Sequence, residues 1–324
     1  MEKMKFYLAP LAGFTDAPFR LMCRKGGADL TYTEMVSAAG LAHGSSPTRH
    51  LMELLPGEGP VACQIFGSKE TDIAFAAREV PLTFVELNLN AGCPMTKVTR
   101  EGAGAKLCDD PDRIYRLLKA IKENTPLPVT LKTRLGPHPE KVRVFEILDA
   151  VASAGAKGII LHARFTSQMH GGEVHLDLLS EAVERSKIPV TGNGSIVDLK
   201  TLKAIEKTGV DAVMIGRAAL SDPGIFNRLK NSSAACDADE KLIWCKRHLD
   251  AIISFREMLA ERYPNDHIPK IDSYASVKMH THLFRYFSGR PGAAALRARL
   301  NNVRTLDEIT DIIAFQPIRS SFLV

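Results

Sequence analysis

Cys93 is the residue in this chain whose setting most suggests chemistry. It lies in Phe84-Val85-Glu86-Leu87-Asn88-Leu89-Asn90-Ala91-Gly92-Cys93-Pro94, an apolar run with alternating polar positions that stops at Gly92 and Pro94. The alternation reads as a strand, and the two breakers as the loop that follows it. A thiol on a stiff loop at a strand end is well placed to react, and a buried structural cysteine has the same spacing. What other strands bring to the same end decides between the two.

Short apolar runs recur over the first two thirds of the chain: Lys5–Pro10, Leu30–Glu34, Val61–Phe66, Phe84–Asn90, Pro128–Arg134, Gly158–Ala163, Ile188–Gly192 and Ala212–Gly216. Helical patterns alternate with them, at Asp16–Lys25, Lys69–Glu79, Pro111–Asn124, Pro139–Ala154, Leu176–Arg185, Val197–Lys207 and Ala218–Leu229. Alternation repeated about eight times predicts an α/β fold of the closed (β/α)8 TIM barrel type over residues 1–235. A doubly wound open sheet is the rival, but the first strand–helix loop has no GxGxxG. Asn231–Glu240 reads as a linker. Beyond it Leu242–Arg262, Tyr274–Phe287, Gly292–Asn302 and Leu306–Phe315 read as helices, so 240–324 is expected to be a C-terminal α-helical domain.

In a barrel the carboxyl ends of the strands share one face, and the active site lies there. The chain brings Pro10, Leu11 and Ala12 to that face, then Glu34 and Met35, Gln64, Asn90 and Cys93, Lys132 and Arg134, His162 and Arg164. The last two strands bring Asn193-Gly194-Ser195 and Gly216-Arg217. So many polar groups in one place are costly without a ligand. The two glycine loops are expected to offer backbone N–H groups just before helix starts, as a phosphate cradle, with Arg217 adding charge. The alternative is two ordinary glycine turns.

Composition narrows the classes further. With 45% hydrophobic and 24% charged residues, wholesale disorder is excluded. The chain has 6 cysteines and no CxxC pair, so a metal centre is not expected. Neither a secretion signal nor a membrane-length apolar run is evident, and a cytoplasmic protein without membrane contact is expected. No protein partner is indicated, which reads as a monomer. The net charge is +5, and residues 240–324 carry 13 Lys and Arg against 9 Asp and Glu, so the tail is the expected contact for a polyanion. A solvated helical surface gives the same count.

APLAGFTD (9–16), NLNAGCPMTKV (88–98), LKTRLG (131–136), LHAR (161–164), GNGS (192–195) and MIGRAAL (214–220) resemble the tRNA-dihydrouridine synthase family, in order through the whole barrel. The resemblance implies an FMN enzyme that reduces uridine in tRNA to 5,6-dihydrouridine with NADPH or NADH as reductant. It implies that Pro10, Leu11 and Ala12 run beneath the flavin, that Gln64, Lys132 and His162 lie beside it, and that Asn193, Gly194, Ser195, Gly216 and Arg217 hold its phosphate. Cys93 is then the general acid. For the substrate, Asn90 is expected at the base edge, with Arg134 and Arg164 nearby and Lys97 and Arg100 toward the nucleotide phosphate. Lys278 and Arg285 are expected on the tRNA backbone, with His282, Arg290, Arg297 and Arg299 as further tail contacts. Ser195 stands where many relatives have Asp, and Ala163 and Phe165 replace the usual Gly and Thr around the His-x-Arg. Two rivals remain: a flavin-barrel oxidoreductase acting on a small pyrimidine or enone, and a tRNA-binding protein without catalysis.

Overall fold

Eight short runs with apolar residues at alternate positions become eight parallel strands, because each buries one row of side chains against helices and the other inside a ring. The computed structural model describes residues 3–287 and 299–314. The strands are β1 (Lys5–Leu8), β2 (Thr31–Ser37), β3 (Val61–Phe66), β4 (Glu86–Ala91), β5 (Val129–Arg134), β6 (Gly158–His162), β7 (Val190–Asn193) and β8 (Ala212–Ile215). They pair in the order β1-β8-β7-β6-β5-β4-β3-β2. The ring closes where Tyr7 bridges Leu30, just ahead of β2: Leu8 N donates to Leu30 O at 2.9 Å and Asp29 N to Phe6 O at 2.7 Å. The chain thus forms the expected (β/α)8 barrel.

The barrel-side helices are α1 (Ala17–Lys25), α2 (Ala38–Ala42), α3 (Ser46–His50), α4 (Glu70–Glu79), α5 (Thr96–Arg100), α6 (Pro111–Lys122), α7 (Val144–Ser153), α8 (Leu176–Arg185), α9 (Leu199–Glu206) and α10 (Ile225–Asn231). Among the described residues three more follow: α11 (Ala238–Arg262), α12 (Ile271–Tyr286) and α13 (Leu306–Ala314). The outer core joins Cys63, Ile65, Leu87, Leu89, Leu131 and Leu161 of the strands to Ile73, Ile114, Leu117 and Ile147 of the helices. A second core holds α11, α12 and α13 together through Leu249, Ile252, Met279, Leu283, Ile309 and Ile312. Met22 on α1 and Phe255 on α11 share a smaller cluster that ties the tail to the barrel.

Several boundaries differ from expectation for local reasons. The helix expected from Ala218 is a 3₁₀ turn, Arg217–Leu220, followed by α10. Pro223 separates the two because a helix disfavours the residue before a proline. The expected linker is shorter than Asn231–Glu240, because Asp237 caps α11 with Glu240 in a reciprocal capping box. The five-residue helices α2, α3 and α5 are too short for a periodic pattern and were not anticipated. The expected helix Gly292–Asn302 lies mostly outside the described residues, as do Arg290 and Arg297.

Candidate active site

β4 runs Glu86-Leu87-Asn88-Leu89-Asn90-Ala91, and its period of two turns the leucines to the helices and Glu86, Asn88 and Asn90 into the ring. Asn90 then holds the Cys93 loop. Its Oδ1 accepts from the backbone N–H groups of Gly92 at 3.1 Å and Cys93 at 3.0 Å. From the far side Ala105 N donates to the Cys93 carbonyl at 2.8 Å, and Arg134 Nε donates to the Gly92 carbonyl at 2.8 Å. Gly104 has φ +59°, and a Cβ there would meet the Cys93 carbonyl oxygen at 2.6 Å. A Gly104→Ala variant is expected to lose about 1–3 kcal/mol from the backbone conformation alone. Urea unfolding measures this loss, and faster alkylation of Cys93 would report a displaced loop.

The thiol so held is half-buried, as is Cys236, while Cys23, Cys63, Cys108 and Cys245 are fully buried. Burial pushes the Cys93 thiol up, against smaller opposite effects of the Met95 backbone, Arg134 and Lys132. It is therefore a neutral S–H at physiological pH, able to give a proton rather than act as a thiolate.

Next to it stands a group of cations. Lys132 pairs in register with Asn90 and donates to Asn193 Oδ1 at 3.2 Å. Burial first, and then Arg134, lower its ammonium to about 7. Burial also lowers Arg134, to about 10, and lowers Arg164, where Arg217 adds to the effect. His162 is pushed well below its usual value by burial and then by Lys132, Arg134 and Arg164. It accepts a hydrogen bond from Arg164 at Nε2 (3.2 Å), so its proton is on Nδ1. No carboxylate is among the charged groups acting on Lys132, His162 or Arg164. Positive charge with no carboxylate partner among the described residues, in a low-dielectric mouth, calls for an anionic ligand.

The glycine loops fit that ligand. The N–H groups of Gly194, Ser195 and Gly216 meet no backbone acceptor among the described residues. Gly194 has φ +152°, and a Cβ there would come within 3.0 Å of Val174. The neighbouring helix starts do not contribute as expected. Asp198 already caps α9, and a 3₁₀ turn follows Gly216, so the donors are loop amides alone.

Some expected contacts have other work. Asn90 is 5% exposed, and its Nδ2 donates to Gln64 Oε1 at 2.8 Å and Met35 Sδ at 3.1 Å. Both donors and both acceptor positions are used, leaving none for a base edge in this arrangement. Arg134, 1% exposed, donates also to the Phe165 carbonyl at 3.1 Å. Arg164, 4% exposed, clamps the Gly172 carbonyl through Nε and a terminal nitrogen, and reaches Ser195 Oγ at 2.7 Å. Both arginines are loop holders that lend charge rather than surface contacts. Gln64 is fully buried, donating to Asn88 Oδ1 at 2.7 Å. Arg217 is exposed and donates to the His170 carbonyl at 2.9 Å. Pro10 and Leu11 are half-buried and Ala12 exposed, in the loop after β1. Lys97 and Arg100 are exposed on α5, just past Cys93.

In the tail, Arg285 and Arg299 are exposed. Lys278 instead pairs with Asp16, the α1 cap, at 3.2 Å. Asp16 raises the Lys278 ammonium, which is therefore a joint between α12 and the barrel. His282 is buried at the same joint, against the Phe14 and Phe19 rings, and burial lowers it to about 4. His282 is not a surface contact, and the Lys278 ammonium, 28% exposed, is already engaged by Asp16. Lys278→Met is expected to lower stability by about 1–3 kcal/mol, because Asp16 loses its partner. The salt dependence of polyanion binding should stay as it was, and a flatter salt slope would return Lys278 to the binding surface.

The interior partners Glu86, Asn88, Thr130 and Tyr32 were not anticipated. Their signal was present as polar residues at every second position of β4 and a threonine two before Lys132.

A half-buried thiol and a cationic mouth at the carboxyl ends of a closed parallel barrel define an enzyme of the (β/α)8 class. The chain belongs to the dihydrouridine synthase family: the family model "Dihydrouridine synthase (Dus)" matches residues 7–321. Relatives include tRNA-dihydrouridine synthase B of Klebsiella pneumoniae, 36% identical over 225 residues, covering 69% of this chain and 70% of that protein. A probable tRNA-dihydrouridine synthase of Helicobacter pylori is 34% identical over 314 residues, covering 95% and 89%. Among solved structures, morphinone reductase aligns with a TM-score of 0.51 at 13% identity, covering 72% of this chain and 87% of that one. An old yellow enzyme homologue from Zymomonas mobilis aligns with a TM-score of 0.51 at 11% identity, covering 72% and 90%. At such identity the likeness concerns the barrel alone.

Proposed function

We propose that this protein reduces uridines in tRNA to 5,6-dihydrouridine, with FMN as its bound cofactor and NADPH or NADH as the reductant. The observation that carries the reading is a half-buried, neutral thiol fixed beside Lys132, His162 and Arg164, on which no carboxylate among the described residues is seen to act. Family membership supplies the reaction, and this site supplies the groups it needs.

When bound, FMN supplies the hydride that adds to C6 of the uracil ring. The loop amides of Gly194, Ser195 and Gly216, with Arg217 and Asn193, would hold its phosphate. Pro10, Leu11 and Ala12 would form the floor of its site, and Lys132 and His162 would lie beside it; Gln64, fully buried between Asn90 and Asn88, would act on it through Asn90. Lys132, protonated in the presence of an anion, stabilises negative charge there. The Cys93 thiol gives its proton to C5 of the base, which must leave the RNA stack to reach it. Lys97 and Arg100 meet the phosphate of that nucleotide. Residues 1–235 are the catalytic part, and 240–324, with Arg285 and Arg299 exposed, guide the tRNA backbone.

The test is direct. Purified protein should carry flavin absorbance, and with NADPH it should form dihydrouridine in an unmodified tRNA transcript, read by mass spectrometry. Flavin-loaded protein that leaves the transcript unchanged but reduces free uracil or an enone would replace this reading with the small-molecule one.

A further inference from the structure

The inside of this barrel contains a continuous line of hydrogen-bonded side chains. Asn90 Nδ2 donates to Gln64 Oε1 at 2.8 Å, and Gln64 Nε2 to Asn88 Oδ1 at 2.7 Å. Asn88 Nδ2 then donates to Thr130 Oγ1 at 2.7 Å, and Thr130 Oγ1 to Glu86 Oε1 at 2.5 Å. Tyr32 also donates to Glu86 Oε1, at 2.8 Å. The line starts at the Cys93 loop and ends near the opposite mouth, at the first residue of β4.

Its ends allow only one direction. At the upper end stand two backbone N–H groups, of Gly92 and Cys93, which only an oxygen can meet, so Asn90 must turn Oδ1 to them. Its amide nitrogen must then face Gln64, whose oxygen faces Asn90 and whose nitrogen faces Asn88. Each amide so fixes the next. Thr130 has one proton; accepting from Asn88, it must donate onward. Glu86 Oε1, taking protons from both Thr130 and Tyr32, is the terminal acceptor. Barrel interiors are normally filled by branched apolar side chains, so a polar line is tolerated only with each member satisfied.

We propose that Thr130 and Glu86 are positioning residues that act on Cys93 through this one-way relay, by locking the Asn90 amide in the orientation that holds the Gly92 and Cys93 backbone. The two N–H groups hold Asn90 from above and Glu86 holds the line from below; with the lower acceptor removed, only the upper pair still opposes reversal, so Asn90 turns Nδ2 toward the loop part of the time and the anchor is weakened. The catalytic meaning of that anchor rests on the reading of Cys93 as the proton donor. The relay itself does not, and it can be tested without cofactor or tRNA.

The test compares Thr130→Val, which keeps shape and removes the hydroxyl, with Thr130→Ser, which keeps the hydroxyl. Amide hydrogen exchange at Gly92 and Cys93 should quicken by about tenfold in the valine protein, the ratio one net hydrogen bond supports, and stay near wild type in the serine protein. Alkylation of Cys93 by iodoacetamide should follow the same pattern. Glu86→Met should resemble Thr130→Val, Glu86→Gln should retain the wild-type rates, and the Glu86→Met/Thr130→Val pair should be no worse than either change alone. In flavin-loaded protein, uridine reduction should slow with the valine change while nicotinamide oxidation does not. Equal exchange and alkylation in the valine and serine proteins would overturn the relay. So would additive effects in the pair. Normal exchange differences with no dihydrouridine from any variant, wild type included, would instead fault the proposed reaction and leave the relay standing.

Discussion

Replacing Cys93 by alanine slows uridine reduction by about 10²–10⁴-fold, the range of a lost general acid, and leaves flavin content and nicotinamide oxidation at wild-type levels. The separation follows from how the loop is built. Its anchors are main-chain groups: the Cys93 N–H on Asn90, its carbonyl on Ala105 and the Gly92 carbonyl on Arg134. Losing the sulfur disturbs none of them. The pH profile carries the same assignment. A general acid works while it holds its proton, and burial raises this thiol. Activity should therefore persist through neutral pH and decline only above the range of an ordinary cysteine. Mass spectrometry of tRNA products over a pH series measures both effects; an alanine variant with wild-type turnover would remove Cys93 from the chemistry.

The second large effect belongs to Lys132. Burial and Arg134 hold its ammonium at about 7 in the ligand-free protein, below the usual lysine value. A group depressed in this way binds fewer protons folded than unfolded. Below about pH 7 the folded protein bears the full cost of the buried charge, and the cost is relieved as pH rises from there toward the unfolded lysine value. An anionic ligand reverses the balance by favouring the charged form. Flavin binding at pH 8 should thus take up a proton, and affinity should fall by up to about tenfold per pH unit above that point. Lys132→Met should bind flavin about ten- to a hundredfold more weakly, as expected for a lost charged contact, and lose the pH dependence. Calorimetry in two buffers of different ionisation enthalpy reads the proton count. No proton uptake by the wild type would place the anion away from Lys132.

The amino-acid sequence by itself determined the barrel. Each of the eight strands was legible, because a parallel strand buried on both sides must be a short apolar run with little freedom at alternate positions. It determined the mouth for the same reason: once Lys132, His162, Asn193 and Gly216 are known to end strands, they share a face. Cys93 could be singled out because Gly92 and Pro94 stop β4 so sharply. Only the tertiary structure decided what those groups do to one another. Gln64 and Asn88 meet across 24 residues of chain, and Asn88 and Thr130 across 42. Such meetings depend on strand register, which no local pattern records. So Asn90, Arg134, Arg164 and Lys278, which read as ligand contacts from their place in the chain and the family resemblance, are also held by neighbours distant in sequence. A polar side chain advertises hydrogen-bonding capacity in its chemistry, but whether that capacity is left over for a ligand is settled by what folding places within 3 Å of it.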